Sequence, residues 1–306
     1  MADAGDHPAG RGGDAAGHAP AGEGGRNRFP VVVRDRGFRA GAACRGYQQA
    51  VSLAPERLER FARHIVLPEV GGAGQAALAG RHVALIGLGG IGSPALQYLA
   101  GAGVGRFTLV DSGDVELSNL QRQTIYTTRD IGHAKAVAAR RWLANFDGAI
   151  PAEVRDDRID SHNAGALIAN ADLVLDGTDN FATRLAVSDA CVAAGTPLLS
   201  AAVGRFQGQV GAFAGHLPDQ ACYRCYVGDA FDAEDCDTCA EDGVLGAMVG
   251  WVGSFAAMQA IRVLLAGASS FGDPQWGTLH LMDGLTPDMR SFRIAKDPAC
   301  SGCDGR

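Results

Sequence analysis

The sequence has no surplus of positive charge: 27 basic side chains stand against 34 acidic ones, for a net charge of -7. That removes the electrostatic footprint of a nucleic-acid or anionic-membrane binder. No apolar stretch near the start could serve as a secretory leader. The longest apolar run, residues 244–260, is interrupted by glycines, Ser254 and Gln259, and Arg262 follows closely. A bilayer crossing takes about 20 residues, so a buried helix is expected here and no membrane span. Eight cysteines in 306 residues are too few for a disulfide-stapled scaffold. Six of them form C-x-x-C pairs, Cys222/Cys225, Cys236/Cys239 and Cys300/Cys303. That spacing favours metal ligation and a reducing, cytoplasmic setting. Internal repeats are absent.

What the chain has in excess is glycine, whose 43 residues are about twice the usual share. A composition 47% hydrophobic and 20% charged is that of a globular chain, long enough for one large α/β unit or two smaller domains. Residues 1–27 hold eight glycines and seven alanines without an apolar period, which reads as a disordered tail. Phe29-Pro30-Val31-Val32-Val33 is the one strand-like run before Pro55, and residues 1–54 are taken together as a disordered extension. From Glu56 to Val66, Leu58, Phe61, Ile65 and Val66 recur at helical spacing among Arg57, Arg60, Arg63 and His64; a basic amphipathic helix is expected.

Beyond it, short apolar runs at 83–86, 107–110, 171–175 and 197–200 alternate with helical patterns at 93–99, 136–146 and 182–194. Such alternation implies a parallel sheet with right-handed crossovers. After Gln209 the rhythm breaks, and residues 210–214, 278–282 and 289–294 read as strands that extend the sheet in mixed or antiparallel fashion. The fold class is therefore α/β, a Rossmann-like, mostly parallel sheet with helices on both faces and antiparallel strands added at one end.

Gly87-Leu88-Gly89-Gly90-Ile91-Gly92 fits G-x-G-x-x-G directly after a strand and at the opening of a helix. In that context the first glycine makes the turn, the second lets a phosphate approach the backbone, and the third lets helix and sheet pack. Asp111 follows nineteen residues after Gly92, at the end of the next strand, where a carboxylate can hold ribose hydroxyls. A dinucleotide-dependent oxidoreductase would share these features. Farther on, Ser118-Asn119-Leu120-Gln121-Arg122-Gln123 and Lys135 gather amides and cations suited to a polyphosphate. On spacing alone they would equally form a solvated helix face. Asp179, in Asp176-Gly177-Thr178-Asp179-Asn180, lies at the carboxyl edge of the sheet. It is placed to hold Mg²⁺ on phosphates, or else to cap the following helix.

Together these segments, with the outer two cysteine pairs, resemble the bacterial ubiquitin-activating-enzyme-like adenylyltransferases of the MoeB/ThiF/HesA group. The resemblance runs from about Leu58 to Cys303 and assigns residues 55–306 to one adenylyltransferase domain. It implies ATP-dependent adenylation of the C-terminal glycine of a small ubiquitin-like sulfur-carrier protein ending in Gly-Gly, for molybdopterin or thiamine synthesis. Carried over residue by residue, Asp111 would bind the ribose, Asn119, Arg122 and Lys135 the phosphates, and Asp179 magnesium. Arg63, in Arg60-Phe61-Ala62-Arg63-His64-Ile65, would reach the ATP site of a second copy in a homodimer. No rhodanese-like segment follows Cys303, so a separate sulfur donor protein is expected. A non-catalytic platform of the same fold is the remaining alternative.

Two C-x-x-C knuckles supply the four thiolates of a closed, structural zinc site. Spacing alone leaves open which pairs they are, and the resemblance points to Cys222, Cys225, Cys300 and Cys303. Cys239 resembles the loop cysteine that some members link covalently to the carrier. Its neighbours Asp235, Asp237, Glu241 and Asp242 would raise its pKa and oppose that role. A proline frequent in the family shortly after the position of Val244 is replaced by Leu245-Gly246-Ala247. Cys191 falls in a predicted core helix and is expected to pack.

Overall fold

The computed structural model describes residues 53–228 and 243–303. The expectations for the N-terminal extension, including residues 29–33, lie outside these residues.

Eight strands form one sheet in the order β3-β2-β1-β4-β5-β6-β7-β8. They are β1 (His82–Ile86), β2 (Arg106–Val110), β3 (Ala152–Arg155), β4 (Leu173–Asp176), β5 (Leu198–Gly204), β6 (Gln207–Phe213), β7 (Thr278–Asp283) and β8 (Asp288–Arg293). The pairs among β1 to β5 are parallel, and those from β5 to β8 antiparallel. All five residues of β1 are buried, as a central strand covered on both faces requires, which is why it reads as an unbroken apolar run.

The helices among the described residues are α1 (Pro55–Arg60), α2 (Ala62–Ile65), α3 (Gly71–Ala79), α4 (Gly92–Ala102), α5 (Lys135–Phe146), α6 (Ala164–Leu167), α7 (Phe181–Ala194), α8 (Tyr223–Val227) and α9 (Gly246–Leu264). Alternate residues of β1 serve two cores: Val83 and Leu85 join α4, α5 and α9 on one face, Ala84 and Ile86 join α6 and α7 on the other. Each fully buried side chain of that size stabilises the fold by about 1.5–3 kcal/mol. The apolar run at 244–260 becomes α9, long and apolar enough to span a bilayer. Here its buried face, with Val252, Ala256, Ala260 and Leu264, belongs to the larger core. A Cβ on Gly253 would stand 2.4 Å from Pro94 Cγ of α4, and one on Gly208 of β6 2.2 Å from Val252 Cγ2. Small residues thus let α9 lie close to both the nucleotide-side helix and the antiparallel strands.

One expectation needs correction. The single amphipathic helix over 56–66 is two short helices broken at Phe61 (φ -102°, ψ 13°). Phe61 is buried, but Leu58 and Val66 are exposed and do not belong to the core. The apolar period that suggested one continuous buried face is satisfied at only part of its positions.

Candidate nucleotide site and cysteine cluster

The order of the parallel strands reverses between β1 and β4, and ligands of open α/β sheets bind outside the carboxyl ends of strands at such a switch point. A cavity of about 800 Å³ lies there. Its wall includes the Gly-rich turn, Asp111, Asn119, Arg122, Lys135 and Asp179, so one space gathers these six expected elements of the site. Gly87 has φ +80°, which favours glycine, and a Cβ there would meet the Gly177 backbone at 3.1 Å. A Cβ on Gly92 would stand 2.0 Å from Gly87 O, whereas one on Gly89 would meet Gln123 Nε2 no closer than 3.5 Å. The third glycine is thus needed for packing, and the middle one keeps an approach clear for a phosphate.

Asp111 is fixed by its own turn: Leu88 N donates to Oδ2 (2.7 Å) and Gly113 N to Oδ1 (2.8 Å). A Cβ on Gly113 would lie 3.2 Å from Asp111 Oδ1 and 3.4 Å from Lys135 Nζ, so carboxylate and ammonium share one corner of the cavity. Lys135 is the first residue of α5, where a cation opposes the helix dipole. That position weakens the bland reading of Lys135 as a solvated surface residue. Tyr126 Oη ties the corner together, its one proton lying between Leu88 O (2.9 Å) and the more distant Lys135 O (3.3 Å). Burial, reinforced by Asp111 and Asp130, keeps this phenol protonated far above its ordinary range.

Asn119 is buried, and its Oδ1 accepts from Glu116 N (3.2 Å), closing the short 3₁₀ turn Leu117–Asn119. Arg122 Nη1 donates to Ser118 O (3.1 Å). Asp179 is exposed on the cavity wall and is not the helix cap: Asn180 caps α7, its Oδ1 accepting from Thr183 N at 3.0 Å. The carboxylate stays available to solvent and ligand.

Sequence reasoning missed Asp157, Arg158, Arg184, Gln209, Tyr223 and Tyr226, which also line the cavity. Arg184 is buried; Nη1 donates to Ser200 Oγ (3.2 Å), and Nη2 to Ala201 O (2.9 Å) and to Thr178 O. It therefore shapes the loop that presents Asp179. Asp176 is fully buried beneath that loop, with Oδ1 accepting from Thr178 N and Oγ1, and burial raises its pKa. A cation that grips the loop's backbone from α7 leaves no local signature in the sequence. Arg63 does not line this cavity and is exposed on α2, and Cys236 and Cys239 lie outside the described residues.

The sulfurs of Cys222, Cys225, Cys300 and Cys303 all lie within 4.8 Å of one another. Neighbouring pairs are separated by 3.5 to 3.8 Å. Tetrahedral ligation with Zn–S bonds of about 2.3 Å places sulfurs roughly 3.8 Å apart, so the donor set fits zinc and leaves no open position. Asp297 N lies 3.5 Å from Cys225 Sγ. Although burial opposes it, hydrogen bonds from the Asp297 and Cys222 amides hold Cys225 below the usual thiol range. Cys191, by contrast, is packed inside α7, and burial pushes its thiol up.

A Rossmann-like sheet with a glycine-rich turn at its switch point, together with a four-cysteine cluster, has the architecture of the nucleotide-binding α/β class. Residues 61–302 match the model of the ThiF family, and the chain belongs to that family. It is 40% identical over 253 residues to a sulfur carrier protein adenylyltransferase of Thermus thermophilus, covering 81% of this chain and 91% of that protein. The molybdopterin-synthase adenylyltransferase of Escherichia coli is 38% identical over 251 residues, covering 82% of this chain and 98% of that one. The SAMP-activating enzyme E1 of Haloferax volcanii is 36% identical over 253 residues, with 83% and 91% covered. Among solved structures, E. coli MccB with ATP superposes with a TM-score of 0.67 at 20% identity, over 80% of this chain and 74% of that one. This last likeness concerns the fold.

Proposed function

We propose that the chain adenylates the C-terminal glycine of a small ubiquitin-like sulfur-carrier protein with ATP and Mg²⁺, releasing pyrophosphate, in molybdopterin or thiamine biosynthesis. The observation that carries this reading is the convergence of Asp111, Asn119, Arg122, Lys135 and Asp179 on one cavity of a ThiF-family chain. A carboxylate oxygen of the carrier attacks the α-phosphorus; the bond from that phosphorus to the bridging oxygen breaks, and pyrophosphate departs with the bond's electrons. Nucleophile and polyphosphate are both anionic, so the barrier is largely repulsion and positioning. Arg122 and Lys135 lower that repulsion and stabilise charge on the leaving group, while Asp111 fixes the ribose. Asp179 would hold Mg²⁺, with Asp157 as a further carboxylate on the wall beside Asp111; the ion would neutralise charge on the phosphates.

Hydride transfer has no use for a triphosphate clamp, so these cations disfavour the oxidoreductase alternative. Leu58, Val66 and Leu67 are exposed around Arg63, an apolar setting that suits a homodimer in which Arg63 reaches a second copy's ATP. The cysteine cluster is assigned to structural Zn²⁺. Its free thiols fit a reducing, cytoplasmic compartment. Cys239 is kept as a candidate for a covalent link to the carrier, with sulfur from a separate donor.

Radioactive pyrophosphate should exchange into ATP only when a carrier ending in Gly-Gly is added. Replacing Lys135 or Arg122 by alanine should slow exchange by about 10²–10³-fold, and Asp179→Ala should abolish it. Exchange without carrier, or near-normal exchange in Asp179→Ala, would overturn the assignment.

A further inference from the structure

A second cavity, of about 420 Å³, lies along the antiparallel strands β5 to β8. Ala202, Val203 and Gln209 line both it and the nucleotide cavity, so the two spaces meet at a common wall. The sheet register sets Ala202 opposite Gln209 and Gln209 opposite Leu281, which puts their side chains on one face. Along that face β5 contributes only Ala202 and Gly204 to the groove, a floor almost without side chains. Gln209 is the long polar side chain common to both spaces.

Its orientation is set from the side. Tyr226 Oη, itself on the nucleotide cavity, donates to Gln209 Oε1 at 3.0 Å. Burial raises the Tyr226 pKa, so the phenol remains a donor. An amide whose oxygen is engaged in this way offers its Nε2 hydrogens to whatever occupies the junction. Among the described residues no other partner takes them.

We propose that Gln209 is a specificity-determining residue for the acceptor: its Nε2 donates to a main-chain oxygen of the Gly-Gly terminus as the tail passes from the groove to the α-phosphate. Ala202 and Gly204 form the floor that admits a tail lacking side chains, and Tyr226 holds the amide in its donating orientation. This assignment deepens the adenylation reading and rests on it.

The test measures pyrophosphate exchange while the concentration of a carrier ending in Gly-Gly is varied, using molybdopterin-pathway and thiamine-pathway carriers side by side. Binding of a non-hydrolysable ATP analogue is measured in parallel without carrier. Gln209→Ala should lower kcat/KM for the carrier by about tenfold or more. The isosteric Gln209→Glu should lower it further, because a carboxylate repels the tail's own. Tyr226→Phe should give a smaller loss, and Ala202→Val should raise the carrier KM by filling the floor. All three residues also line the nucleotide cavity, so the test is the ratio of the two effects: kcat/KM for the carrier should fall several-fold more than affinity for the ATP analogue in all four. Unchanged carrier kinetics in both Gln209 variants would overturn the assignment while leaving adenylation standing. A loss of analogue binding as large as the loss with carrier would also overturn it, by making Gln209 a contact of the nucleotide rather than of the tail. Wild-type protein inactive with every Gly-Gly carrier would remove the adenylation reading and this assignment together.

Discussion

Gly89 and Gly92 lie three residues apart in one turn yet face opposite constraints. A Cβ on Gly92 would be forced to 2.0 Å from the Gly87 carbonyl, whereas one on Gly89 meets only a side-chain amide at 3.5 Å. Gly92→Ala should therefore destabilise the protein by about 1–3 kcal/mol or more, seen as a lower midpoint in urea. Gly89→Ala should change stability by less than about 0.5 kcal/mol and still weaken ATP-analogue binding at least tenfold; intact binding in that variant would deny the phosphate a seat on the turn. Residues of this kind were legible because their chemistry is local: the turn, Asp111 and Asp179 follow strand ends, and strand ends can be read. Arg184, Gln209 and Tyr226 were not. They come to the cavity from a helix interior, a strand and a short helix distant in sequence, and only the assembled sheet shows that they converge.

Two arginines of α1 tie the helix pair α1–α2 to the end of α5. Arg57 donates to Asp147 Oδ2 just past α5, and Arg60 donates to Phe146 O (3.0 Å) with its guanidinium 4.8 Å from the centre of the Phe146 ring. Burial by itself would raise the Asp147 pKa, but hydrogen bonds from Arg57 and the Ala149 amide, with the Arg57 and Arg60 charges, hold it below the ordinary carboxylate range. A carboxylate depressed in the folded state stabilises it above the unfolded value of about 3.9, and that contribution disappears as pH falls through the folded value. Asp147→Asn should thus cost about 1–3 kcal/mol at neutral pH, with the gap to wild type closing as pH falls below the ordinary carboxylate range. Urea unfolding at several pH values measures it, and a gap independent of pH would refute the ion-pair account. Elements differed in legibility for similar reasons. The apolar parallel strands announced themselves, but β3, Ala-Glu-Val-Arg at the sheet edge and only partly buried, has no apolar run to find. The glycine-rich α3 runs against helix propensity and forms through its tertiary contacts.

Across the whole molecule, the cysteine cluster joins α8 to the C-terminal segment over a separation of 78 residues between Cys222 and Cys300. A cross-link closing a loop of that size restricts the unfolded chain by about 4–5 kcal/mol. Stripping the metal with a strong chelator should lower the thermal midpoint by about 10 °C and open residues 294–303 to proteases, with one zinc released per chain. Tyr223 and Tyr226 of α8, beside Cys222 and Cys225, line the nucleotide cavity, so binding of an ATP analogue should weaken along with stability; full stability after metal removal would dismiss a structural role. The parallel half of the molecule and its antiparallel extension were both foreseeable from the spacing of apolar runs. How they are joined was not, since α9 lies against α4 and the antiparallel strands at once. That arrangement has a consequence for the chemistry. Among the described residues, a single unbroken sheet serves as chassis and one helix braces both halves, so the walls around a water-sensitive acyl phosphate are set by one rigid frame. An acceptor that fills the mouth of such a chamber would act as its own stopper against water.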